Sequence, residues 1–229
     1  MSTGAADAGV VVPFATAMAV VVGALVTAAR RAGTGGRVAG AVAAWLALTA
    51  GLAAAGVFRR FDALPPRVPV AALVAVAAML AFTGSAAGRR LLAGVPLAAI
   101  AGLQVFRVPV ELGLHALYVR GLMPVQMTYS GRNVDLAVGL TAPLVALAFH
   151  RGALGRRGLA LWHVASLAAL LNVVVTAVLS FPGPLRVFRD GVANAIVADA
   201  PFVWLPTFLV PVAAASHIVS LRALWRSRL

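Results

Sequence analysis

The chain has 229 residues, 62% hydrophobic and only 11% charged, where a soluble domain averages about half and about a quarter; that excludes a water-facing globule and predicts an all-α, polytopic membrane bundle forming one domain over 1–229. Cysteine and lysine are absent and all 19 basic residues are arginine, which excludes disulfides, thiolate metal sites, covalently attached haem, a cysteine nucleophile and a retinal Schiff base on lysine. The net charge of +13 does not point to nucleic acid, because the arginines stand singly or in pairs between apolar runs and not on one basic face; they read as topology signals and as contacts to anionic lipid headgroups.

The stretch Met1 to Gly9 carries no basic side chain. A secretory signal has a basic start and a shorter apolar core, so the first apolar run is expected to be a mature helix. Seven spans of membrane length are predicted, at about 10–29, 38–57, 68–87, 93–119, 134–150, 159–181 and 201–222. Arginine pairs or Pro/Gly punctuate the gaps, as in Phe181-Pro182-Gly183-Pro184. With the N-terminus outside, 11 arginines fall in cytoplasmic segments and 7 in outer ones. The positive-inside rule then favours N-out and C-in, in the plasma or inner membrane. Helices one to three are rich in Ala, Gly and Val and are expected to be scaffold, packed closely through small residues such as Gly40, Gly51 and Gly56.

The polar content is concentrated in 104–135. At about 100° per residue, Gln104, Arg107, Glu111, His115 and Tyr118 share a stripe about 80° wide on the fourth helix. A charge in lipid costs several kcal/mol, so the stripe is expected to face the bundle interior or an outward-facing polar cavity between helices four to seven. Pro109 has no N–H for the carbonyl of Val105 and is expected to kink the helix there. Arg107 precedes Glu111 at i, i+4, the less favourable order, which implies other partners, such as Asp135 for Arg107. Two readings stand for this pair: a structural ion pair that pins the bundle, or a binding and proton-transfer site.

Glu111 and His115, also i, i+4, can present a carboxylate and an imidazole to one divalent metal, with Asp135 as third ligand. The remaining histidines, His150, His163 and His217, are placed near the cytoplasmic ends. They form a possible separate inner metal set, and His163 with His217 a loosely matched pair for non-covalent haem. The outer loop ends in Ser130-Gly131-Arg132-Asn133-Val134-Asp135. Asn133 suits an N-cap for helix five, and Arg132 at that helix start suits a small anionic group. Met123 and Met127 are either a soft-metal pair or packing. Asn172, Thr176 and Ser180 add a mild polar stripe to helix six, and Pro206 and Pro211 are expected to kink helix seven. There is no G-x-S-x-G, H-E-x-x-H, Walker A or dinucleotide fingerprint. A membrane-embedded enzyme acting on a small anionic or lipid molecule, a binding or proton-coupled transport protein using Arg107 and Glu111, and a structural subunit of a larger complex all remain open.

Overall fold

The computed structural model describes residues 7–226, which form nine α-helices and no strand. They are α1 (Ala8–Arg31), α2 (Gly35–Ala54), α3 (Arg67–Gly84), α4 (Ala86–Ala93), α5 (Leu97–Leu103), α6 (Arg107–Val119), α7 (Asp135–His150), α8 (Arg156–Ser180) and α9 (Val210–Arg226). Six segments are long and apolar enough to cross a membrane: α1, α2, α3, the run Leu97–Val119, α8 and Leu205–Trp225. The helix at 135–150 is apolar but has only 16 residues, about 24 Å.

Local chemistry explains the boundaries. Asp7 starts α1 by accepting the Gly9 N–H at 2.7 Å. The third segment stops at Gly84, short of the predicted 87. Ser85 takes an extended conformation and caps the short α4, whose Gly88 N–H bonds its Oγ at 3.1 Å. The predicted fourth helix is not continuous either. It is divided into α5 and α6 by a 3-10 turn at Gln104–Phe106. The break lies N-terminal to Pro109, where the missing N–H releases the Val105 carbonyl and the backbone tightens to three-residue bonds.

The last segment opens with a π-turn at Leu205–Leu209 that leads into α9. Pro211 has no N–H for the Thr207 carbonyl, and Trp45 Nε1 on α2 donates to that oxygen at 2.9 Å. In return Trp204 Nε1 donates to the Leu46 carbonyl at 3.0 Å. The proline kink is thus stapled to α2 by two indole hydrogen bonds.

The largest apolar cluster draws on α1, α3, α6, α8, α9 and the loops at 122–127 and 196–205. The close approaches are not those expected of the first three helices. A Cβ added at Gly40, Gly51 or Gly56 meets nothing within 4 Å, because these residues point outward. A tight position is Gly139, where a Cβ would lie 2.9 Å from the Val108 nitrogen and 3.3 Å from Arg107 Cβ, whereas at Gly113 it would meet the α1 backbone at ordinary contact distance. Gly139 lets α7 rest on α6 one turn from Asp135. Three polar ties link segments distant in sequence: Arg120 to Asp7 at 2.6 Å, Arg59 to Asp199 at 2.6 Å, and Arg156 to the Leu224 carbonyl at 3.0 Å.

Candidate functional site

Arg107 begins α6 and is 2% exposed. Its guanidinium has a partner on each nitrogen. Nε donates to Gln104 Oε1 at 3.2 Å, Nη1 to Asp135 Oδ1 at 2.7 Å, and Nη2 lies 3.0 Å from His217 Nε2. Arg107 therefore pairs with Asp135 and not with its own helix's Glu111, in keeping with the unfavourable Arg-before-Glu order. Asp135 opens α7; the N-cap is Val134 and not the expected Asn133, which lies one residue earlier and holds the approach as an Asx turn, its Oδ1 accepting the Asp135 N–H at 2.9 Å.

Asn133 has a second task. Its Nδ2 donates to Glu111 Oε1 at 2.5 Å and to the Met127 carbonyl at 3.0 Å. The other oxygen of Glu111, Oε2, is buried with no hydrogen-bond partner, as is Gln104 Nε2. The space beside Arg107, Glu111 and Asp135 is about 30 Å³, room for one or two waters. The stripe thus faces a small space and not a roomy outward cavity.

The histidines depart furthest from expectation. His163 and His217 are both fully buried, and their Nδ1 atoms lie 2.8 Å apart. His217 also meets Arg107, so the supposed inner set and the helix-four stripe are one network. A guanidinium only donates. His217 Nε2 must therefore accept, and in a neutral ring Nδ1 carries the proton. That N–H donates to His163 Nδ1, leaving His163 Nε2–H as a buried donor without a partner. Protonating His217 would set N–H against N–H at Arg107, so the arginine fixes the tautomers of both rings.

This arrangement corrects several expectations. With their rings 5.1 Å apart and directly bonded, His163 and His217 leave no room for a haem between them. His150 is exposed at the end of α7 and stands apart from both. Among the described residues no group of three or more His, Cys, Asp or Glu side chains is placed to hold a metal ion, which argues against both the Glu111–His115–Asp135 set and the inner histidine set. His115 faces the rim, 3.3 Å from Ser130 Oγ and stacked on Tyr129 at 4.5 Å. Tyr118 is 36% exposed. Arg132 is exposed and covers the Phe188 ring, and Asn172 holds the Arg132 carbonyl at 2.8 Å; neither reaches the centre.

The outer loop folds inward. Met123, Gln126, Met127, Thr128 and Asn133 are buried, the methionines within the apolar core, so they pack. Gln126 Nε2 donates to Ser180 Oγ at 3.2 Å, tying the loop to the end of α8. Sequence reasoning missed the link from Arg107 to His217. The available signal was a set of buried-type polar residues, His163 and His217, in otherwise apolar spans.

The fold and centre define a class: an α-helical protein with membrane-length segments built around a buried Arg–Asp pair and a histidine pair. The chain belongs to a family described as a domain of unknown function, DUF8737, whose model matches residues 65–225. That span contains every member of the centre and leaves out α1 and α2. No curated protein and no solved structure matches the chain.

Proposed function

We propose that the chain is a seven-helix integral protein of the cell membrane, N-terminus outside, and that it binds and releases a proton at Glu111 as part of coupled transport. The count takes α7 as the seventh span, and the arginine bias supports the orientation. One observation carries the functional reading: Glu111 is 1% exposed, has one oxygen held by Asn133, and leaves the other unpartnered beside a space of one or two waters. A buried carboxylate without a full set of partners is costly inside a membrane and marks a role. The centre already balances one guanidinium with Asp135, so a proton on Glu111 leaves its charges paired. A proton, alone or carried by a water, fits this space without rearrangement.

The test is a pH-dependent infrared difference spectrum of the protein in lipid. We expect a carboxylic-acid carbonyl band that is absent in Glu111→Gln and displaced in Glu111→Asp, with the helical signal unchanged. A spectrum without such a band, or with one that persists in Glu111→Gln, rejects the reading.

A second reading has its own support. Leu170, Val173, Leu205 and Val210 line both the small space beside Arg107, Glu111 and Asp135 and a much larger apolar one. A shift of that wall would let the polar end of a small anionic or lipid molecule reach Arg107 and Glu111 from the bilayer. Binding that is lost in both Arg107→Gln and Glu111→Gln would favour it.

A further inference from the structure

The larger space is a half-open groove of about 630 Å³ between α3 and α8, floored by α9 and the π-turn before it. It exists because α3 packs on α9 and the π-turn, and α8 packs on α9, leaving a gap between α3 and α8. All of its lining lies within the family span. Along α8 it runs from Val164 to Phe181, about 25 Å at 1.5 Å per residue, close to the thickness of a hydrocarbon core.

A slot of hydrocarbon-core length with apolar walls suits an extended hydrocarbon chain. Its lining is apolar except for Asn194. Asn194 is 1% exposed, and its Oδ1 has no hydrogen-bond partner. Its backbone N–H bonds the Ser180 carbonyl at 2.9 Å, which fixes it at the Phe181 end. One acceptor stands at one end of a long apolar slot.

We propose that this groove binds one extended alkyl or isoprenyl chain of a membrane amphiphile, with an O–H or N–H of its polar end donating to Asn194 Oδ1. Burying the chain removes the apolar walls from disordered lipid contact, and the donor satisfies an amide oxygen that is otherwise unpaired. The assignment needs the chain to lie in a bilayer but is independent of Glu111, so the infrared test and the one below fail separately.

The experiment uses the full chain in phosphatidylcholine nanodiscs and two photoreactive probes, a long-chain alcohol with a diazirine on its chain and the methyl ether of the same molecule. We expect the alcohol to label 68–76 and 164–181 several-fold above the outward faces at Leu48 and Leu144. Filling the groove with Val174→Trp, or from the opposite wall with Ala72→Phe, should abolish that excess. Asn194→Ala should reduce alcohol labelling to the level of the ether and leave ether labelling unchanged. Equal labelling of the groove and of Leu48 and Leu144 means ordinary boundary lipid and overturns the proposal. So does an Asn194→Ala effect that is nil or the same for both probes. Because the chain has no cysteine, Leu171→Cys provides a single thiol in the groove. Efficient disulfide formation between copies in membranes would show that a second protein occupies it, and would also overturn the proposal.

Discussion

The span Gly35–Ala54 and the span Leu205–Trp225 have the same mean hydropathy, yet 11% of the first is buried in the protein against 67% of the second. Hydropathy reports suitability for lipid and says nothing of which helix stands at the centre. The polar atoms make the difference. In α2 the buried Thr49 hydroxyl bonds carbonyls of its own helix and asks nothing of a neighbour. In the last segment Thr207, His217 and Ser220 are all buried, and the Thr207 carbonyl and the His217 ring are satisfied only by other helices. Trp45 on α2 reaches across only at its own edge, whereas the central helix carries a buried titratable ring, His217, whose partners lie on α6 and α8.

The strongest way to break this contrast is to remove the ion pair. Arg107→Met leaves Asp135 buried without its counter-charge and should cost about 3–5 kcal/mol, read as a collapse of the thermal unfolding temperature in detergent. Removing both charges in Arg107→Met/Asp135→Leu should recover most of that loss, since well-packed apolar replacements of a buried pair are often neutral. A double variant as unstable as the single one would mean that His217 and Gln104 depend on the guanidinium as much as Asp135 does.

Glycine offers a smaller, paired test. Gly139→Ala places a methyl against the α6 backbone and should destabilise by about 1–3 kcal/mol as overpacking. Gly51→Ala meets open space and should be neutral or stabilising by up to about 1 kcal/mol through helix propensity. If the two behave alike, the division into a packed centre and an outward-facing α2 is wrong. Trp45→Phe comes next. It strips the donor from the Thr207 carbonyl released by Pro211 and should cost about 1 kcal/mol, while Trp225→Phe, on an exposed ring, should not register in the same unfolding assay.

Much of this contrast was legible in the residues, but unevenly. The apolar runs located the membrane-length segments to within a few residues, because length and hydropathy are properties of the local chain. The stripe Gln104, Arg107, Glu111 was legible because helical periodicity puts those side chains on one face. Its continuation was not: His115 and Tyr118 lie on the same stripe, but α6 ends at the rim and its last turn emerges from the bundle. The link between Arg107 and His217 spans 110 residues, and no periodicity encodes it. The histidine depths were misplaced because the last segment was read as one helix from 201. The helical run opens with the π-turn at Leu205 and continues to Trp225, which brings His217 into contact with Arg107. Small residues in helices one to three suggested tight packing, but composition does not say whether a glycine points at a neighbour or at the surroundings.

The weakest effect lies where the first helix is tied to the sixth. Asp7 is exposed, and its carboxyl is held below its ordinary value of 3.8 first by the hydrogen bond from Arg120 and then by the Gly9 N–H. A carboxylate with a lowered folded value contributes stability that is complete above the unfolded value and is lost as pH falls through the folded one. The tie should therefore be intact at neutral pH and fade only in acid, below about pH 4. Arg120→Gln should flatten the acid limb of unfolding temperature against pH and leave the neutral value nearly unchanged. Added salt should flatten the same limb in the wild type, since an exposed pair is screened. A drop at neutral pH as large as that of Trp45→Phe would place part of the bundle's stability at its rim, and so would blur the division between centre and periphery that α2 and α9 define.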